Sequence, residues 1–209
     1  MTVTINGTTG INTPGVVNTA AESIATTLTV TGAATAASLQ VGGVTTNLYP
    51  LVSGTVQTAP PATPQYFDFT SIPSWVKRIT VMFQGVSTNG TSNIQIQLGT
   101  GSTTYTTSGY VGACASAGAS GTGFSAGFIV SGDVTAAAQV YSGLATICNI
   151  TGNTWAENGV LSPSATAQSG PRVGSGYVPL SATLTAVRIT TVNGTDTFDA
   201  GSVNILYEG

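Results

Sequence analysis

Beyond residue 58 the only side chains that could work as an acid or a base are six carboxylates: Asp68, Asp133, Glu157, Asp196, Asp199 and Glu208. The chain has no histidine, which removes the Ser-His-Asp and Cys-His relays, the histidine general base and every His-containing zinc site. A glycosidase needs two carboxylates facing each other across a sugar, one of them raised in pKa by burial. The spacing of these six marks out no such pair, and solvated or turn-capping acids are the plainer reading. Asp196-Thr197-Phe198-Asp199 sets two carboxylates close enough in sequence to flank a Ca²⁺. It lacks the glycine and the distal glutamate of an EF-hand loop, so Asx-turn hydrogen bonding is the preferred role. Gly118-Ala119-Ser120-Gly121-Thr122-Gly123 has the glycine density of a phosphate-binding loop, but no lysine follows it and no helix opens from it. Cys114 and Cys148 cannot make a structural zinc site alone; they read as small buried apolar residues, and a bond between them is left open. The expectation is a protein that is not an enzyme, with no catalytic residue, no metal ligand and no cofactor.

Charge narrows the partners. Lys and Arg number 4 and Asp and Glu 7, so 5% of the 209 residues are charged, against about 25% in an ordinary soluble domain. With 41% apolar residues and a net charge of −3, the chain is not a disordered polyelectrolyte. Four scattered cations cannot form the positive stripe that a phosphate backbone requires, so nucleic acid is not an expected partner. The opening MTVTINGTTG has neither a basic segment nor an apolar run, which predicts no signal peptide. The sequons at Asn6, Asn89, Asn149 and Asn193 then read as turns rather than glycan acceptors. Residues 111–130 are uncharged and about long enough to cross a bilayer, but five glycines interrupt them, and no membrane span is expected.

The elements that would position these residues fall into two parts. Residues 1–58 hold one carboxylate, Glu22, and no aromatic residue before Tyr49, too little to bury a core of their own. An apolar-x-apolar-x-Gly pattern at Val3-Thr4-Ile5-Asn6-Gly7, Leu28-Thr29-Val30-Thr31-Gly32 and Leu39-Gln40-Val41-Gly42-Gly43 predicts a short strand ending in a turn, repeated; a flexible Thr/Ala-rich arm is the alternative. Thr19-Ala20-Ala21-Glu22 fits a capping box opening a helix of about two turns. Pro60, Pro61 and Pro64 deny donors to any sheet and predict a stiff connector. The division expected is an attachment arm and short shaft over 1–58, a proline-rich linker over 59–65 and a head domain over 66–209.

Within the head the hydrophobic period is 2. Ile79, Val81 and Phe83 share one face, Ile94, Ile96 and Leu98 another, and Val203, Ile205 and Tyr207 a third. Asn89-Gly90 and Asn193-Gly194 predict hairpin turns that join the strands on either side of them. Further strands are expected over 127–131, 140–150 and 180–187, and residues 112–127 as a long surface loop or a strand packed closely on another backbone. The fold class is all-β, an antiparallel β-sandwich of jelly-roll-like type. Tyr110, Tyr141, Trp155 and Tyr177 lie in turn-rich stretches where an aromatic face can stack on a sugar; these are the candidate receptor contacts, with core or inter-subunit packing as the alternative for each.

Two stretches carry a likeness to a known family. FTSIPSWVKRITVMF at 69–83, GVSTNGTSN at 85–93 and QLG at 97–99 resemble the opening of a C-terminal module found in fibre and tail proteins of tailed bacteriophages. LTAVRITT at 184–191 with NGTDTFDAGSVNI at 193–205 looks like the close of that module, and the Thr/Gly repeats near residues 28–43 are similar to fibre shafts. The resemblance implies a non-enzymatic virion component assembled in the bacterial host cytoplasm, a homotrimer with an extended trimeric shaft before its β-sandwich head. It implies attachment to a tail, baseplate or capsid protein through residues 1–27, and a head that meets a host surface glycan or protein. A capsid decoration or head-fibre protein and a glycan-cleaving tailspike are the other two readings.

Overall fold

The alternation of Ile79, Val81 and Phe83 with polar neighbours is realised as the buried face of one long strand, each of the three at most 5% exposed. The computed structural model describes residues 38–41, 44–47, 49–59, 65–132, 134, 136–137, 139–164 and 170–209. The repeats near residues 3 and 28, the capping box at Thr19, Asp133 and the prolines at 60, 61 and 64 lie outside them. In chain order the strands are β1 (Ser38–Val41), β2 (Val44–Asn47), β3 (Val52–Ser53), β4 (Gln57–Thr58), β5 (Tyr66–Phe69), β6 (Arg78–Thr88), β7 (Ile94–Gly99) and β8 (Val111–Ser116). They continue as β9 (Thr122–Phe124), β10 (Phe128–Ile129), β11 (Val140–Thr151), β12 (Thr154–Ser164), β13 (Arg172–Pro179), β14 (Ala186–Thr191) and β15 (Phe198–Glu208). Among the described residues there is no helix, and so none long and apolar enough to cross a membrane.

The chain divides into two units, Met1–Leu48 and Tyr49–Gly209. In the first, β1 and β2 form an antiparallel pair with Val41 opposite Val44, so Leu39 and Val41 of the third repeat lie on a strand. In the second, two antiparallel sheets make a β-sandwich-like fold. One has the order β10-β7-β14-β5; the other runs β3-β15-β6-β11-β12-β13-β8-β9, with β4 also paired to β15. The inward residues of both sheets form the core: Phe67 of β5 packs on Phe198 of β15 with ring centroids 4.6 Å apart, and Phe128 of β10 meets Tyr110 and Phe124 edge-on. Even Arg172 is fully buried, its Nε donating to the Gly132 carbonyl at 2.7 Å.

Three expectations are corrected here. First, Asn89-Gly90 and Asn193-Gly194 do not close hairpins. β6 pairs with β11 and β15 in the large sheet, and β7 pairs with β10 and β14 in the small one, so each turn carries the chain from one sheet to the other. The two crossings lie against each other: Thr197 N donates to Asn89 Oδ1 at 2.8 Å, and Asn193 N to Ser92 Oγ at 3.0 Å. Second, residues 49–58 belong with the head rather than the arm, and Ala59 with it rather than with the linker, because β3 and β4 pair with β15 and Ala59 N donates to the Gly201 carbonyl. Third, the strand expected over 180–187 begins only at Ala186. Within residues 112–127 the strand parts in β8 and β9 follow the close-packed alternative and 118–121 are exposed between them: a Cβ at Gly112 would sit 2.3 Å from the Ser175 carbonyl oxygen and 2.5 Å from the Phe124 ring.

The large sheet bends where β15, β6 and β11 lose register. Gly85 (φ 63°) and Gly201 (φ 86°) face each other there, and a Cβ on Gly201 would lie 2.3 Å from the Gly85 oxygen. Left-handed backbone and contact this close together admit only glycine, the signature of bulges that turn a sheet around its core.

Candidate functional site: a polar groove on the four-stranded sheet

The small sheet has an inner face of Phe67, Phe69, Ile96, Leu98, Val187 and Ile189, all core residues. Period 2 therefore sends Asp68, Gln95, Gln97, Arg188 and Thr190 outward. Register then aligns them into two rows across three strands: Asp68 opposite Arg188 opposite Gln97, and Tyr66 opposite Thr190 opposite Gln95. Between and beside these rows lies a groove of about 350 Å³, reached also by Gln65, Asn193 and Gly194.

Arg188 is its anchor. Nε and Nη2 donate to Asp68 Oδ1 and Oδ2, each at 2.7 Å, in a bidentate pair. The guanidinium carbon lies 3.8 Å from the centre of the Tyr66 ring and 4.0 Å from that of Tyr105, so the cation is flanked by two aromatic rings. Hydrogen bonding to Asp68 raises the Arg188 pKa further. Burial, and then the Asp68 charge, push the Tyr105 phenol up to about 12. The floor is equally fixed: Gln97 Nε2 donates to the Ala126 carbonyl at 2.9 Å, Gln95 Nε2 to Thr191 at 3.2 Å, and Thr190 Oγ1 to Gln65 at 3.1 Å. Each amide spends one of its two N–H donors on the backbone and keeps its oxygen as an acceptor.

Tyr105 reaches Arg188 because its backbone bridges to Gly99 at the end of β7. A Cβ on Gly99 would lie 2.9 Å from the Thr104 oxygen, 3.0 Å from the Tyr105 ring and 3.1 Å from Ala186 Cβ. Gly99→Ala is therefore expected to push the 100–105 loop off the sheet, costing about 1–3 kcal/mol in a urea unfolding curve. An unchanged midpoint would show that the loop yields freely and does not clamp Arg188.

The four aromatic candidates fare differently. Tyr110, Tyr141 and Trp155 are 2%, 1% and 4% exposed, and a ring enclosed in the core cannot stack on a sugar. Tyr110 is a core post whose hydroxyl accepts from Leu98 N at 2.7 Å, and burial raises its pKa. Trp155 borders a cavity of about 130 Å³ beside Lys77 and Asn149, below the roughly 300 Å³ of an ordinary ligand site. Tyr177 alone keeps the exposure a contact needs, at 45%, on the outer face of the large sheet. Of the neighbouring glycines, Gly112, Gly143, Gly159, Gly174 and Gly176 are strand residues, and Gly112 and Gly176 leave room for the Phe124 ring.

The carboxylates are dispersed. Asp68 holds Arg188, Glu208 pairs with Arg78, Asp199 accepts from Ser87, and Glu157 is buried on β12. Asp196 accepts from Ser92 N at 3.0 Å and Asn193 Nδ2 at 2.6 Å, the turn-capping role. Asp196 and Asp199 thus have separate hydrogen-bond partners. Among the described residues no three His, Cys, Asp or Glu side chains gather where they could hold a metal. Cys114 faces the core from β8 and Cys148 is exposed on β11, and they are not bonded to each other. Comparison with known proteins finds no matching family model, no matching curated protein and no matching solved structure.

Proposed function

We propose that this chain is a structural fibre protein of a tailed-bacteriophage virion, a homotrimer whose N-terminal residues grip the particle and whose jelly-roll-like head meets the host surface. Residues 1–27 would hold the tail or baseplate, and the repeats up to Leu48 would form the shaft around the three-fold axis. The stretches that resemble the phage module lie mainly in β6, β7, β14 and β15, which are neighbours in both sheets. Stretches far apart in sequence that carry the resemblance thus pair as β6 with β15 and β7 with β14. The described carboxylates support a binding rather than a cleaving role, since Asp68, Asp199 and Glu208 are spent on structural partners and Glu157 lies beneath the surface.

The observation that carries the reading is the outer face of the large sheet. Register aligns Val173, Val160, Leu144 and Met82 in one row across four strands, with Val173, Val160 and Leu144 42%, 46% and 53% exposed. The next row, Ser175, Asn158, Thr146 and Thr80, is polar without charge, and the row after it brings in Tyr177 and the Arg78–Glu208 ion pair. Six strands at about 4.8 Å spacing and about eight residues of about 3.3 Å make a face on the order of 800 Å². That is roughly what each partner contributes to a stable interface, and the scarcity of charge suits its centre. The occupants proposed are the two other copies of this chain around the three-fold axis. Sedimentation of the full chain should give three times the 20.8 kDa chain mass, and Leu144→Glu, an outward substitution that spares the core, should shift it to monomer. A wild-type monomer, or a Leu144→Glu trimer, would sink this surface assignment.

A further inference from the structure

We infer that the groove on the small sheet binds a neutral, polyhydroxylated ligand, a saccharide unit, with Arg188, Gln97, Gln95 and Thr190 as its polar contacts. The inference rests on the host-binding role proposed above and replaces the loop aromatics as its site. Four observations carry it. Arg188 Nε and Nη2 are taken by Asp68, which leaves Nη1 as a donor held in place by two rings and a carboxylate. The amide oxygens of Gln95 and Gln97 remain as acceptors on side chains that are 3% and 7% exposed, so the floor is rigid before any ligand arrives. Donor and acceptor thus lie side by side in one register row, the arrangement a sugar hydroxyl, itself donor and acceptor, can satisfy at once. Finally, Asp68 cancels the charge of Arg188, so a carboxylate or phosphate ligand would have to compete with an acid already seated in the bidentate position. Tyr66, 45% exposed, adds an apolar edge at the groove's rim.

The test is binding of the full chain to an array of neutral and acidic bacterial oligosaccharides, repeated with Gln97→Leu and Thr190→Val. Gln97→Leu removes the amide oxygen and nitrogen and Thr190→Val one hydroxyl, both at strand positions, and a thermal melt run alongside checks the fold. The expected result is binding to neutral members of the array, weakened about tenfold or more by Gln97→Leu and insensitive to salt. Binding confined to acidic members, binding untouched in both variants, or no binding to any member would overturn the site. Localisation of the chain on phage particles is a separate measurement, so a groove that binds nothing leaves the fibre reading standing, and a chain absent from particles does not erase a groove that binds sugar.

Discussion

A fragment beginning at Tyr49 should unfold at the same urea concentration as the head in the full chain, while one beginning at Tyr66 should lose on the order of 5 kcal/mol. The proline cluster suggests the later start, but three layers of contact argue for the earlier one. Gly54 N donates to the Ile205 carbonyl at 2.8 Å and Ala59 N to Gly201 at 3.0 Å, so β3 and β4 cap the edge of β15. Gln57 Nε2 donates to the Asp68 carbonyl at 2.6 Å, and Ala59 is 2% exposed within the core. Tyr49 stacks on Trp75 with ring centroids 5.1 Å apart and planes 4° from parallel. Each net hydrogen bond contributes about 1 kcal/mol and the stack about 0.5–1.5 kcal/mol. The shorter fragment would also present the whole edge of β15, a row of unpaired amides and carbonyls that templates aggregation. Equal midpoints for the two fragments would return the boundary to residue 66.

Glu157 should make the head less stable as the solution becomes more alkaline. It sits on the core side of β12 between Trp155 and Gly159, 3% exposed, with neither carboxylate oxygen hydrogen-bonded. Gly159 leaves it space, since a Cβ there would lie 2.6 Å from Glu157 Oε1. Burial alone pushes its pKa from 4.5 up to about 8. The unfolded chain releases this proton near 4.5 and the folded chain only near 8, so across that window the native state holds more protons. The stabilisation is complete below pH 4.5 and is lost as pH rises through 8, a difference of about 5 kcal/mol over the full range. Glu157→Gln keeps the shape and removes the titration. Unfolding free energies at pH 5, 7 and 9 should therefore fall more steeply for the native chain than for the variant. Parallel curves would mean that Glu157 titrates normally and is not desolvated.

What was legible in the sequence follows from what burial writes into it. Ile79, Val81 and Phe83 face inward as their alternation requires, and the strand expected over 140–150 is β11, Val140–Thr151. Alternation reports which face of a strand is buried but not which strand lies beside it. A hairpin and a crossing between sheets leave the same period on both sides of an Asn-Gly turn, and that is how β6 and β7 read as partners. β13 escaped because its core face is Arg172, Gly174, Gly176 and Val178. A Cβ at Gly176 would lie 2.8 Å from the Phe124 ring, so glycine is required where a large apolar residue would have shown the period.

The groove was half visible. Phe67-Asp68-Phe69, Ile96-Gln97-Leu98 and Val187-Arg188-Ile189 each place a polar residue outward between two buried ones, and a chain with four cations spends one there. Only register brings the three together, and register is a property of the fold. The aromatic candidates differ for the opposite reason: glycine-rich surroundings suggest loops, whereas Tyr110, Tyr141 and Trp155 are buried in the core and only Tyr177 is exposed.

The most direct measurement of the central claim is electron microscopy of purified phage particles labelled with gold-conjugated antibodies raised against residues 49–209. Label at the tail end, lost from particles made without this chain together with their adsorption to host cells, is the expected result. Label spread over the capsid would select the head-fibre reading, and particles bearing no label at all would contradict a virion role.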